Sequence, residues 1–258
     1  CYLLFFPSCF GAMETYDEVA ARNLERRERA DLVAALLGGI RGDVLVRSAL
    51  LIPISQEAWL ASAGFGELWV RSLLWFLRGA LFLSGVWSMI EADARLLGFR
   101  LRSNFTGILT AENPSRFWRA WRGTMTHWLI RYVYVPLGGS QRHRTRNIFA
   151  AFAVSTAWHV AGVLIFLPPT APAMALVPTL TWGAVNFTGV AAHSAWRRRW
   201  PAGTWLPADR LLGRAAKIAL TLCFGSLTVT VLGFPRDRVE DFLRVVCTLA
   251  GLGHFCGR

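Results

Sequence analysis

A histidine stands in the middle of an apolar run. Residues 147–167 read NIFAAFAVSTAWHVAGVLIFL, with Trp158 and His159 near the centre. A titratable ring at membrane depth is costly and persists where it meets a partner, a cavity or a substrate path. Imidazole titrates near neutrality, so it can take a proton from a hydroxyl and later return it. A histidine packed and satisfied inside a helical bundle would give the same sequence. The next apolar run carries Trp182, Gly183 and, three residues on, Asn186. An amide can donate or accept a hydrogen bond and cannot change its charge at neutral pH. It orients a base or a substrate, or it packs helices. Upstream, Trp118, Trp121, Met125 and Trp128 recur at helical spacing beside a stripe of Arg116, Arg119 and Arg122. Such a face suits a helix anchored in the headgroup region or one lying under the bundle. Arg142, Arg144 and Arg146 come just before the histidine run. They fit phosphate groups, and they fit an ordinary positive-inside loop equally well.

The elements that position these residues are apolar helices. Apolar residues make up 54% of the chain and twelve residues are Trp, a mix ordinary for a polytopic membrane protein and unusual for a soluble domain. The net charge is +12, and the arginines fall mainly between the apolar runs. With no finger, basic domain or aromatic-basic sheet motif, the charge speaks for a positive-inside membrane protein and against nucleic acid. Residues 14–31 are charge-dense and predict a helix in water or at the membrane surface. Residues 32–54 are apolar but interrupted by Gly38, Gly39, Arg41, Asp43 and Arg47, which predicts two short helices or a poor span. Residues 68–90 predict a span whose Arg71 and Arg78, seven apart, share an inward face. Further spans are expected over 147–167, 174–192, 211–232 and 242–253. The uncharged turn PPTAP joins the histidine run to the next, and Arg197–Arg199 follow. The positive-inside rule then puts both basic clusters in the cytoplasm.

Pro114-Ser115 predicts a helix start, with Ser115 as N-cap or first-turn residue. Pro136-Leu137-Gly138-Gly139 predicts a sharp turn with a bare backbone. The five cysteines have no metal or redox spacing and read mostly as packed free thiols; no His/Cys/Glu cluster predicts a metal site. No linker divides the chain, so 1–258 reads as one membrane domain. Its start at Cys1 inside YLLFF has no signal-peptide n-region, and it reads as the tail of a span whose beginning is missing.

FWRAWRGTMTHWLIRYVYVPLGG, residues 117–139, resembles the signature of the membrane-bound O-acyltransferase family, and its bacterial branch in particular. The fit includes Phe117, Trp118, Arg119, Trp121, Trp128, Leu129, Tyr132, Tyr134 and Pro136 to Gly139. Flanking matches follow in order: Phe5-Phe6-Pro7, Ser84-Gly85, Leu97-Gly98-Phe99-Arg100-Leu101, Asn104-Phe105, Asn147 and Trp158-His159. The chain departs from the pattern at Ala12 for proline and Ser88 for a carboxylate. It also has Arg122 for the histidine of RWH, Val160 for glycine and Asn186 for a second histidine.

The resemblance implies an all-α, polytopic transmembrane helical bundle with interfacial and re-entrant helices. It implies transfer of an acyl group, acetyl foremost, from a cytoplasmic thioester to a hydroxyl of a cell-surface polysaccharide. His159 would be the catalytic base, with Asn186 orienting donor or base. Arg119, Trp121 and Trp158 would bind substrate. No bound cofactor is implied; coenzyme A or a carrier protein presents the acyl group as a substrate. Partners would be membrane lipids, a glycan acceptor or a periplasmic partner acyltransferase, and the location the cell inner (plasma) membrane, multi-pass. Two alternatives use the same residues: a transporter or partner subunit that kept the fold without the chemistry, and an acyltransferase acting on a lipid or protein hydroxyl.

Overall fold

The computed structural model describes residues 29–54, 64–97, 101, 103–166, 172–200, 211–233, 239–249 and 251. The FFP match, residues 14–28, Gly98 to Arg100 and most of PPTAP lie outside them. Among the described residues the structure is helical. The helices are α1 (Arg29–Leu50), α2 (Phe65–Leu96), α3 (Pro114–Ala120), α4 (Gly123–Leu129), α5 (Arg144–Phe166), α6 (Pro172–Arg199), α7 (Leu211–Gly233) and α8 (Val239–Leu249). A 3₁₀ turn (Ile108–Thr110) precedes α3, and a π-helical segment (Ile130–Tyr134) continues α4.

Residues 32–50 form part of one continuous helix rather than two short ones. The charges that argued for a break, Arg41, Asp43 and Arg47, lie exposed, and Arg47 pairs with Asp43 one turn away (2.7 Å). The glycines serve the opposite face. A Cβ on Gly85 of α2 would lie 2.7 Å from the Gly42 carbonyl oxygen, so both positions must stay bare for α1 and α2 to cross. Asp31, nearly fully buried, bonds Arg95 (3.0 Å) and latches the far end of this hairpin. Arg78 turns inward as its spacing predicts and donates to the Ile54 carbonyl (2.5 Å).

Among the described residues two helices are long and apolar enough to cross a membrane, Phe65–Leu96 and Gly213–Val231. Large apolar side chains such as Leu36, Leu37, Val44 and Leu220 stay exposed, a surface suited to hydrocarbon. α5 and α6 run antiparallel. Phe149 meets Phe187 (5.3 Å between ring centroids), Thr156 meets Gly183, and His159 meets Trp182. Falling numbers on α6 against rising numbers on α5 fix the direction. Both basic clusters therefore stand at the same end of the pair. Of the described cysteines, Cys223 is a free thiol and Cys247 is disulfide-bonded.

Candidate active site

The 117–139 segment is not the single helix its periodicity predicts. Asn113, not Ser115, caps α3: its side chain accepts from the Arg116 N–H (2.8 Å), and Ser115 is a first-turn residue. α3 stops at Ala120 because Trp121 turns extended and pairs antiparallel with Phe105. Arg122 then adopts the left-handed conformation (φ 49°) before α4 begins. Asn104 holds this corner. Its carbonyl accepts from Gly123 N (2.9 Å), and its side-chain oxygen accepts from the Thr124 N–H (3.1 Å) and hydroxyl (2.5 Å). A non-glycine residue at positive φ costs free energy and persists where its surroundings over-determine it. Arg122 therefore leaves the Arg116–Arg119 stripe. Its guanidinium lies over the Trp87 ring (5.9 Å).

The aromatic stripe is largely interior. Phe117 is fully buried and stacks with Trp121 (5.7 Å), while Trp118 meets Phe152 of α5 and Trp182 of α6 edge-on (6.2 and 5.7 Å). These contacts exclude a simple interfacial anchor for the face carrying Trp118 and Trp121. After the π segment the chain turns at Gly138 (φ 102°) and Gly139 (φ 57°), where a side chain would be strained. Asn147, fully buried at the start of α5, donates to the carbonyls of Gly139 (2.9 Å) and Arg142 (2.6 Å). Two separate stretches of the sequence pattern are thus one hydrogen-bonded corner.

These elements line a half-open cavity of about 450 Å³. Its wall on α5 is Arg144, Ile148, Ala151, Phe152, Ser155 and His159, which recur at helical spacing on one face. At 1.5 Å per residue this face runs roughly 22 Å from the helix start to His159. The cavity is thus an elongated channel leading from the basic end toward the middle of the helix. Trp118, Arg119, Trp121 and Arg122 contribute from the broken segment, Trp182, Val190 and Ser194 from α6, and Val229 from α7.

His159 Nδ1 lies 2.7 Å from the Ser155 carbonyl oxygen. A carbonyl only accepts, so Nδ1 carries the proton, and in the neutral ring Nε2 keeps its lone pair. The ring also packs on Trp182, with centroids 4.4 Å apart. Asn186 does not border the channel as expected. It shares the α6 stripe of Trp182 and Val190, yet it is fully buried and donates to the Trp182 carbonyl (2.7 Å). Its level is about 6 Å from that of Trp182, one turn along the helix. Its side-chain oxygen has no partner among the described residues. Trp158 is outside the wall too, because its place next to His159 on α5 turns it toward Trp128 (6.4 Å). The structure therefore brings His159, Arg119 and Trp121 to one channel and leaves Asn186 and Trp158 out of it.

The model of the membrane-bound O-acyltransferase family matches residues 32–199, well over half of the chain. This chain belongs to that family. Among curated family relatives, it is 30% identical over 132 residues to the "Membrane-bound O-acyltransferase GUP1" of Millerozyma farinosa, a match covering 46% of this chain and 25% of the relative. It is 29% identical over 123 residues to the "Probable alginate O-acetylase AlgI" of Pseudomonas syringae pv. tomato (46% and 24%). It is 26% identical over 138 residues to the "Peptidoglycan O-acetyltransferase" of Helicobacter pylori (52% and 24%). The matches span about a quarter of each relative's length. Trp182, which the sequence left without a role, lines the same cavity and packs against His159, and Arg122, a departure from the family pattern, lines it too. Ser155 was legible in principle, since it precedes His159 by one helical turn.

Proposed function

We propose that the chain forms the core of a membrane O-acyltransferase that moves an acyl group, acetyl foremost, from a thioester to a glycan hydroxyl. The observation that carries this reading is the His159 ring. Its Nδ1 is held by the Ser155 carbonyl inside the channel, and its other nitrogen is left as a base. A hydroxyl is a weak nucleophile until a base takes its proton in the transition state. In the reading, the acceptor O–H gives its proton to Nε2 while its oxygen bonds the thioester carbon. The tetrahedral intermediate then expels the thiolate, and the imidazolium returns the proton to that sulfur. The donor, acyl-coenzyme A or an acyl-carrier protein, enters from the basic end, where Arg142 and Arg146 are exposed beside the start of α5. That end faces the cytoplasm of a multi-pass inner-membrane protein. The acceptor hydroxyl belongs to a surface polysaccharide.

The test is transfer of labelled acetyl from acetyl-coenzyme A to surface glycan, in membranes holding the full-length protein. His159→Gln keeps volume and hydrogen bonding, and it should reduce turnover by about 10²–10⁴-fold with normal protein levels. Near-normal turnover would instead favour a scaffold without chemistry.

A further inference from the structure

The proposed reaction puts a positive charge on His159. When the acceptor O–H gives its proton to Nε2, the neutral ring becomes an imidazolium, and a cation held away from water costs free energy unless other groups answer it. No carboxylate among the described residues lines the cavity, and the arginines in its wall, Arg119, Arg122 and Arg144, are themselves cations. The Ser155 carbonyl oxygen, 2.7 Å from Nδ1, answers one edge of the ring. The indole of Trp182 meets it too, with ring centroids 4.4 Å apart and a tilt of 43°, so the rings overlap rather than lie side by side. An aromatic ring attracts a cation within about 6 Å of its centroid. The attraction for a neutral ring is weaker, so it grows as the proton moves onto Nε2. Interactions that strengthen on the way to the transition state are those that raise turnover. Trp182 is also held in place. It is 3% exposed, Trp118 packs on it edge-on (5.7 Å), and its carbonyl accepts from the Asn186 amide (2.7 Å). The neighbouring Gly183 sits against Thr156.

We infer that Trp182 is a positioning residue for the transfer step, whose indole holds the His159 ring and stabilises the positive charge that this ring carries between taking up the proton and returning it. No bond to Trp182 forms or breaks. The proton passes from the acceptor oxygen to Nε2 and from Nε2 to the thiolate sulfur, and the indole faces a cation only in between. The inference rests on the acyltransferase reading above.

The test uses full-length protein in lipid nanodiscs. Trp182→Leu removes the aromatic face and should lower kcat by about 10–30-fold, the worth of a cation–π contact away from water, with KM for donor and acceptor little changed. Trp182→Phe keeps a face and should cost about threefold or less. Phenylalanine carrying one, two or three fluorines, placed at position 182 by stop-codon suppression, changes the volume of the ring little and drains its π density step by step. The logarithm of kcat should fall with each fluorine, a trend that packing alone would not give. These members share one shape, so they decide the matter if the leucine variant misfolds. Binding supplies a readout without turnover. His159→Ala vacates a space beside Trp182 for a small ring. 1,3-Dimethylimidazolium is a permanent cation, and 1,3-dimethylpyrrole is its neutral counterpart of the same shape. The preference for the cation should be about threefold or more greater in His159→Ala than in His159→Ala/Trp182→Leu. A flat fluorine series, or turnover of Trp182→Leu near wild type, overturns the inference and leaves the acyltransferase reading standing. A cation preference that depends on Trp182, in a protein whose wild type transfers nothing, supports the charge site and overturns the activity. Absence of both overturns both.

Discussion

A methyl group at position 183 tests how closely α5 and α6 must approach to build the channel. A Cβ on Gly183 would lie 3.0 Å from Thr156 Cγ2 and 3.1 Å from Thr156 Cβ, with the hydroxyl oxygen closer still. Thr156 cannot simply turn away. It is stiff at χ1, and its hydroxyl donates to the Phe152 carbonyl (2.7 Å). Either the helices separate or that bond breaks. Overpacking of this kind costs about 1–3 kcal/mol. At about 2–4 °C per kcal/mol for a chain of this size, Gly183→Ala should melt about 2–12 °C below wild type. The His159–Trp182 contact lies beside this crossing, so separation should also loosen that contact and, on the proposed acyltransferase reading, lower transfer. Tryptophan fluorescence melting in nanodiscs, with the transfer assay in parallel, reads both effects. Thr156→Ala removes the two atoms met first. The double variant should recover most of the loss, with a coupling of about 1 kcal/mol or more between the two sites. Gly183→Ala melting within about 1 °C of wild type would refute the close-approach argument. So would a double variant no better than the single one.

Asn104→Ala should destabilise by about 1–3 kcal/mol, since it strips acceptors from the buried Thr124 N–H and hydroxyl; a thermal melt checks this. Gly138→Ala should also lower the melting temperature, because φ is 102° and its Cβ would stand 2.9 Å from Arg142 Cβ. Asn186→Ala should cost turnover less than tenfold, roughly the smaller end of orientation effects, because it acts on Trp182 and not on the reacting atoms. A loss equal to that of His159→Gln would place the amide at the chemistry.

Much of the helical frame was legible, because apolar runs and glycine–proline punctuation are local signals. His159 was legible for the same reason: one polar ring in an apolar run stands out. The break at Trp121 and Arg122 was not. Helical spacing continues through it, and what ends α3 is pairing with Phe105, a contact brought in from another part of the chain. The fate of Asn186 was hidden for a related reason. Its spacing from Trp182 puts it on the same stripe of α6, but a shared stripe does not say whether a side chain reaches the cavity. Arg41, Asp43 and Arg47 misled in the opposite sense. Charges inside an apolar run argued for a broken helix, and the crossing at Gly42 and Gly85 made a single one with its charges turned away.

The shortness of α3 and α4 has a consequence for the order in which the protein is made. Helices of seven residues do not hold their shape alone in water. α3 is stabilised by Phe117 lying against Gly225 of α7, where a side chain would collide with the ring, and by Trp118 lying between Phe152 and Trp182. α7 is synthesised about a hundred residues after α3. During translation the signature segment therefore exists for some time as sequence without its final form, and the channel closes only once Gly225 and Val229 arrive. A chain cut after α6 would carry the whole region by which the family is recognised and still lack one side of the channel.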